Sequence, residues 1–342
     1  MNTVYLHPMV ARLFATLNTN VTTQSTSGAS LTAEMKTFYS NNLIDLAEPE
    51  LVHDQFGQKH PIPKNGGKTI EFRKYSSLPK ATTALTEGVT PNGQSLNVTT
   101  LTATVSQYGG YVTLSDVLLL AAIDNNLMQA SKLLASQAGR TLDTITREVL
   151  NGGTNVYYCA SGVTDKANLV GGSATASDNN TLTVDDIRRA VRKLKTMNTP
   201  KINGGYVAII HPDVSYDLMS DPEWQRPHEY VDTDNIYAGE IGRIAGCRFV
   251  ETTEAKVWKK AAKDKSSGTA EAGDGSTKGW DVYSTLVLGA DAYGITEITG
   301  GGLQMIIKQL GSAGTEDPLD QRATAGWKAI KVAERLVEAY MI

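Results

Sequence analysis

Between Lys68 and Leu114 the chain carries two runs that alternate apolar with polar residues, Thr69-Ile70-Glu71-Phe72-Arg73 and Leu101-Thr102-Ala103-Thr104-Val105. Alternation with period two is the signature of a strand that shows one face to each side of a sheet. The segment joining them, Ser76 to Asn97, holds Pro79, Gly88, Pro91 and Gly93 and is too polar and too punctuated to be core. The whole reads as one long hairpin. Arms of about 20 residues at roughly 3.3 Å each reach on the order of 60 Å, farther than a compact domain of this size is wide. Such a limb has to meet another molecule, and that requirement bounds every other reading of the chain.

The clearest helix follows the hairpin. Leu127, Ala130, Leu134, Ala138, Leu142, Ile145 and Val149 recur at spacings of three and four, beside a polar stripe of Gln129, Lys132, Ser136, Arg140, Asp143 and Arg147. About 25 residues make a rod of roughly 37 Å, stopped by Asn151-Gly152-Gly153. Asp143 and Arg147, four apart with the acid first, are expected to pair on its exposed side. A second helix is predicted from Thr183, with Asp186 completing a capping box, to Pro200; it buries Ile187, Ala190, Leu194 and Met197. A buried strand over Tyr206 to Ile210, a turn at His211-Pro212 and a short helix to Met219 come next. Further strands are expected at 247–252, 282–288 and 295–298, with a surface loop over 263–278. Upstream, Leu17 to Leu31 is rich in Thr and Ser and reads as an arm, followed by a helical stretch from Leu31 towards Leu46. After Leu303 the periodicity fits strand or helix equally: Ile330 and Val332 alternate, while Ala329, Ala333, Leu336 and Tyr340 could line a helix.

Composition narrows the function. Of 342 residues only two are cysteines, Cys159 and Cys247, with no CxxC pair, so neither a zinc site nor a disulfide framework is encoded. No metal and no cofactor is expected. The formal net charge of −4 lacks the basic footprint of a dedicated nucleic-acid binder. The first residues lack the pattern of a secretory signal, and no run approaches the roughly 18 to 20 apolar residues that cross a bilayer, so no membrane partner is expected.

Motifs that could suggest catalysis are weak. Gly66-Gly67-Lys68-Thr69 resembles the end of a phosphate-binding loop, but Ile62 stands where a glycine is needed and a strand follows where a helix should. Ser77-Leu78-Pro79-Lys80 matches SxxK without its companion motifs. His211 with Asp213 reads as a strand-end turn with a capping aspartate, and Cys159 has no distinctive nucleophile context. No catalytic residue is expected. On the second helix Arg188, Arg192 and Lys195, joined by Arg189 and Lys193, form a basic face with two readings: a solvated surface, or contact with an acidic partner such as a neighbouring subunit, a scaffolding protein or DNA.

The order of parts resembles the Hong Kong 97-type major capsid proteins of tailed bacteriophages. Matching stretches are Leu85-Thr86-Glu87-Gly88 with Pro91, Gln107-Tyr108-Gly109 before Ser115-Asp116, His211-Pro212, Gly239-Glu240-Ile241-Gly242 with Gly246, Asp291-Ala292-Tyr293-Gly294, Asp317-Pro318-Leu319 with Gln321-Arg322, and Gly326-Trp327-Lys328. They span nearly the whole chain. The resemblance implies an α+β fold with an N-terminal arm (1–30), the start of a peripheral domain (31–67), an extended loop (68–114), a peripheral domain with a spine helix (115–205), an axial domain (206–302) and a return with a C-terminal strand (303–342). It implies a virion capsid protein and no enzyme, self-assembling into an icosahedral shell, with pentamers and hexamers of itself as its first partners. Scaffolding, portal and decoration proteins would be further partners, and double-stranded DNA would be enclosed without sequence-specific binding, assembly occurring in the bacterial host cytoplasm. Extended-loop residues Arg73, Lys74, Lys80, Glu87 and Pro91 would touch the next subunit, as would Lys132, Arg140, Asp143 and Arg147 on the spine helix. Some members weld subunits by an isopeptide bond between an extended-loop lysine and a peripheral-domain asparagine. Lys74 or Lys80 could donate, yet no asparagine follows Asn235, so a non-covalent shell is expected. Two rivals share parts of this reading: a bacterial encapsulin, with the same fold and no phage genome, and an ordinary α+β enzyme.

Overall fold

The computed structural model describes residues 19–21 and 52–342, apart from 91, 122–125, 161, 174–179, 225–239, 267–277 and 313–316. The helix expected over 31–46 lies outside them, as does most of the N-terminal arm. The chain divides into two compact units, one from the described parts of 1–50, 107–141 and 301–330, the other from 51–106, 142–300 and 331–342. Four helices are named here: α1 (Asp116–Ala121), α2 (Asn126–Asn151), α3 (Val184–Thr196) and α4 (Pro212–Met219).

In the first unit the strand Thr19–Val21 runs parallel to Thr113–Ser115, the end of the strand Ser106–Ser115. That strand lies beside the long strand Arg322–Arg335, which over Thr324–Lys328 also pairs antiparallel with Gln304–Lys308. Two stretches far apart in sequence meet here because glycine lets them. A β-carbon on Gly109 would stand 2.6 Å from the Trp327 carbonyl oxygen, and one on Gly110 would stand 2.7 Å from Gln137 Oε1. The Trp327 indole Nε1 donates to that same Gln137 oxygen at 3.1 Å. These glycines therefore hold a close strand-to-strand and strand-to-helix approach.

The second unit is organised on a four-stranded sheet in the order 286–288, 206–210, 247–251, 240–244. Tyr206–Ile210 is buried along its whole length and pairs parallel with Cys247–Glu251 and antiparallel with Leu286–Leu288. A strand covered on both faces reads as a continuous apolar run, as this one does. Tyr206, Ala208 and Ile210 pack with Ile187, Ala190, Val191 and Leu194 of α3 and Val214 and Leu218 of α4. Val207 and Ile209 face the other way, against Leu150, Phe56, Tyr293 and Met341. Helix α3 opens with the expected capping box: the Asp186 amide donates to the Thr183 hydroxyl oxygen and the Thr183 amide to the Asp186 carboxylate.

Two differences from the sequence reading have physical causes. The regular hairpin ladder covers only Thr69–Tyr75 against Val98–Thr104, seven facing pairs, about 23 Å of strand; the strand Ser106–Ser115 pairs elsewhere. Part of the expected loop over 263–278 is strand, since Val257–Asp264 pairs with Trp280–Tyr283 and with Val170–Gly171. At the C-terminus the two periodicities resolve as the strand Arg322–Arg335, followed by a single 3-10 turn at Glu338–Tyr340.

Candidate functional site

The root of the hairpin is anchored and its outer part is bare. Phe72 meets the His60 ring edge-on at 5.6 Å and lies close enough to Gly294 that a β-carbon there would be 3.3 Å from Phe72 Cζ. Ala103 and Val105 are buried. Beyond them every described residue from Arg73 to Thr100 is exposed. That stretch includes Tyr75 (62%), Leu85 (77%) and Leu96 (67%), with Leu78, Val89 and Val98 also exposed. Of the residues expected to touch a neighbour, Arg73 pairs locally with Glu71 at 3.2 Å, both side chains largely solvated. Lys74, Lys80 and Glu87 are exposed, and Pro91 lies outside the described residues.

On α2, Lys132 and Arg140 face solvent, as does Leu133 at 72% exposure. Asp143 does not. It is fully buried, accepting the His53 backbone N–H at 2.8 Å and bonding His53 Nδ1 at 2.7 Å. The expected Asp143 and Arg147 pair is therefore corrected. Arg147 turns to the Glu254 carbonyl at 2.6 Å and the Glu148 carboxylate at 2.8 Å, and Lys256 meets Glu148 at 2.6 Å. Partial burial pushes the Glu148 carboxyl up, but hydrogen bonds from Lys256 and Arg147 outweigh it and hold it below the usual carboxylate range.

Beside Asp143 lies a second buried polar contact that the sequence reading did not find. Lys331, only 5% exposed, bonds the Asp54 carboxylate and donates to the Leu142 carbonyl at 3.0 Å, while the Thr146 hydroxyl donates to Asp54 at 2.6 Å. The Tyr293 hydroxyl donates to the His53 carbonyl; burial first, then the nearby Asp54, drives its pKa well up. One sequence signal was available: Lys331 occupies a buried position in the alternation of Ala329, Lys331 and Ala333, where a cation needs a partner.

The basic face of α3 is partly spoken for. Arg188 pairs with Glu223, and Arg189 pairs with Asp185 at 2.7 Å and donates to the Tyr157 hydroxyl at 3.2 Å. Arg192 and Lys195 are exposed. A surface depression of about 1060 Å³ separates this helix from residues 154–164, with Arg189, Arg192, Lys193 and Met197 on one wall and Val156, Tyr157 and Val163 on the other.

Nothing in the catalytic alternatives assembles. His211 caps α4, its Nδ1 accepting the Asp213 amide at 3.2 Å, and the Tyr283 hydroxyl donates to Asp213 at 2.6 Å. The Cys159 thiol donates to the Asn180 carbonyl at 3.3 Å, and burial followed by the Asp186 charge pushes its pKa up to about 11, opposite to the shift an activated nucleophile needs. Gly66 lies in a turn, its amide bonded to the Pro63 carbonyl at 2.9 Å, and leads into a strand. Among the described residues no cluster of three His, Cys, Asp or Glu side chains could hold a metal, and no helix is long and apolar enough to cross a membrane.

Solved structures share this architecture. The capsid of cyanophage P-SCSP1u aligns with a TM-score of 0.56 at 15% identity, covering 93% of this chain and 91% of that one. The capsid of Ralstonia phage GP4 gives 0.57 at 15% identity over 82% of each chain. The capsid of cyanophage Pam1 gives 0.57 at 14% identity, covering 96% of this chain and 98% of that one. No curated protein matches. The fold is thus the α+β Hong Kong 97-type fold of phage capsids, and the family model described as phage capsid protein matches residues 22–309. That family and fold are structural and not enzymatic, and the chain belongs to the phage capsid protein family.

Proposed function

We propose that the protein is the major subunit of an icosahedral phage head, assembling in the host cytoplasm through pentamers and hexamers around double-stranded DNA. The observation that carries this is the bare hairpin. Tyr75, Leu78, Leu85, Val89, Leu96 and Val98 are exposed on a thin limb with no core of its own. Covering them against a second copy is worth on the order of 5–10 kcal/mol before ordering costs. The solvent side of α2, with Lys132, Leu133 and Arg140, is the surface on which the limb of the next subunit would rest. Several such contacts per subunit hold a shell even when each is modest, because release requires all of them to break together. Scaffolding, portal and decoration proteins are the expected further partners. The mildly acidic chain encloses DNA without gripping it.

The shell is non-covalent in this reading: no asparagine follows Asn235 to accept Lys74 or Lys80. Deleting residues 76–97 should leave a folded, soluble subunit that forms no particles by electron microscopy. Normal particles from that deletion would refute the reading. Boiled, reduced particles should run as one monomer band on a denaturing gel, and a ladder of multimers would refute the absence of cross-links.

A further inference from the structure

The solvent faces of α3 and α4 carry opposite charge. On α3, Arg192 and Lys195 stand three apart and exposed with Lys193 half-buried beside them, and among the described residues no carboxylate pairs with any of the three. On α4, Asp213, Tyr216 and Asp217 share one face at positions i, i+3 and i+4, all exposed, Tyr216 at 74%. Among the described residues no lysine or arginine pairs with either aspartate. Partial burial, then the charge of Asp213, pushes the Asp217 carboxyl up.

The two faces cannot neutralise each other within one chain. The first turn of α3 is tied to the segment that follows α4, through the Val184 amide on Asp221 at 3.1 Å and the Arg188 pair with Glu223. Arg192 and Lys195 therefore belong to the far half of a 13-residue helix, roughly 20 Å long, that runs away from that junction. Both helices pack on the same side of the central sheet through Ile187, Leu194, Val214 and Leu218, so their free faces are held at a fixed mutual angle.

We propose that the Arg192 and Lys195 face of α3 docks on the Asp213, Tyr216 and Asp217 face of α4 in a second copy of this chain, head to tail. The inference rests on the shell-subunit reading, which supplies the many copies. Contact between two different patches of one molecule propagates around a ring. The cations meet the two carboxylates, and Tyr216 offers an aromatic face to the Arg192 guanidinium.

Charge exchange tests this in the full chain. Arg192→Glu with Lys195→Glu makes both faces acidic, while Asp213→Asn with Asp217→Lys makes the second face basic. Each double variant alone should stay folded by circular dichroism and lose at least tenfold in assembled material by sedimentation near 0.15 M salt. An equal mixture should recover assembly, because unlike faces alternate. That alternation closes six-membered rings and not five-membered ones, so tubes or sheets of hexamers are expected in place of closed shells. The variant carrying all four changes restores opposite signs on one chain and should assemble alone, which covers loss from misfolding of either parent. Wild-type assembly by either double variant overturns the contact, and so does failure of both the mixture and the four-change variant. Reversal on α3 that lowers only the DNA content of normal shells also overturns it, assigning that face to nucleic acid. If the unaltered chain forms no rings or shells, the shell reading itself falls and this contact with it.

Discussion

Replacing Asp143 with alanine separates two pictures of α2 by an order of magnitude. On an exposed face with Arg147 four residues on, the loss would be about 0.2–0.5 kcal/mol. In the structure both oxygens of Asp143 are occupied, one by the His53 amide at 2.8 Å and the other by His53 Nδ1 at 2.7 Å, with both residues fully buried. Alanine strands two donors where no water reaches. Each stranded buried donor costs about 1–3 kcal/mol, so the loss is roughly 2–6 kcal/mol. For a body of about 200 residues, each kcal/mol shifts the melting point by ~2–4 °C, which puts the expected fall on the order of 10 °C. Asparagine keeps one acceptor and should fall between. The assay is thermal unfolding by circular dichroism of the unassembled subunit, carried in the 76–97 deletion so that assembly does not mask the change. A fall under about 2 °C for Asp143→Ala would refute the buried arrangement and return the residue to the surface.

Three further outcomes follow from the same geometry. Lys331→Met alone should cost about 2–4 kcal/mol by leaving the partly buried Asp54 without its cation, while Lys331→Met with Asp54→Asn should recover a large part of that in the same melts. Gly109→Ala should cost about 1–3 kcal/mol, because the new methyl meets the Trp327 carbonyl, whereas Gly93→Ala, which meets nothing within 4 Å, should stay within ~0.5 kcal/mol. Asp217→Asn should raise the melting point of the unassembled subunit at neutral pH. The folded-state pKa of Asp217 lies above its unfolded value, so its ionised form penalises folding at neutral pH and the penalty fades as pH falls towards about 4; the advantage of asparagine should shrink over the same range, and an advantage that grows on acidification would refute the assignment.

The elements read correctly from sequence are those set by neighbours along the chain. Helix α3 carries its own start signal in Thr183 and Asp186 and its own apolar stripe, and the structure returns both except at Met197, which stands 49% exposed at the C-cap. The strand Tyr206–Ile210 is a pure apolar run and is buried on both faces. Asp143 fails for the complementary reason. A helical wheel places it beside Arg140 and Arg147, and nothing local reveals that His53, 90 residues earlier, arrives to cover it. The constraint at Gly109 has no local sign either, since the Trp327 carbonyl that excludes a side chain there lies over two hundred positions downstream. The hairpin was legible in its pairing and polar tip, but its ladder stops at Thr104, because Ser106–Ser115 finds a better partner in the C-terminal strand.

Beside its apolar core the second unit holds a buried polar cluster, and its limb carries exposed apolar residues; assembly makes sense of both. Buried Lys331, Asp143 and His53 and the partly buried Asp54 join the segment at 53–54, the middle of α2 and the C-terminal strand. Such a cluster is directional: it tolerates one register of the three segments and penalises every other, at a cost in raw stability against an apolar core of the same shape. Exposed on the hairpin are Tyr75, Leu78, Leu85, Val89, Leu96 and Val98, no two of them adjacent in sequence, with only Tyr75 and Val98 facing each other across the ladder. A free subunit with one broad apolar surface would associate in any orientation, whereas single apolar residues strung along a thin limb gain little unless one partner covers them all in order. The rigid body fixes where the limb leaves, and the dispersed anchors fix what it can grip. A change that merely makes the limb more apolar, such as Thr82→Leu with Thr83→Leu, should therefore increase irregular aggregates at the expense of uniform particles, and a higher yield of uniform particles would contradict this division of labour.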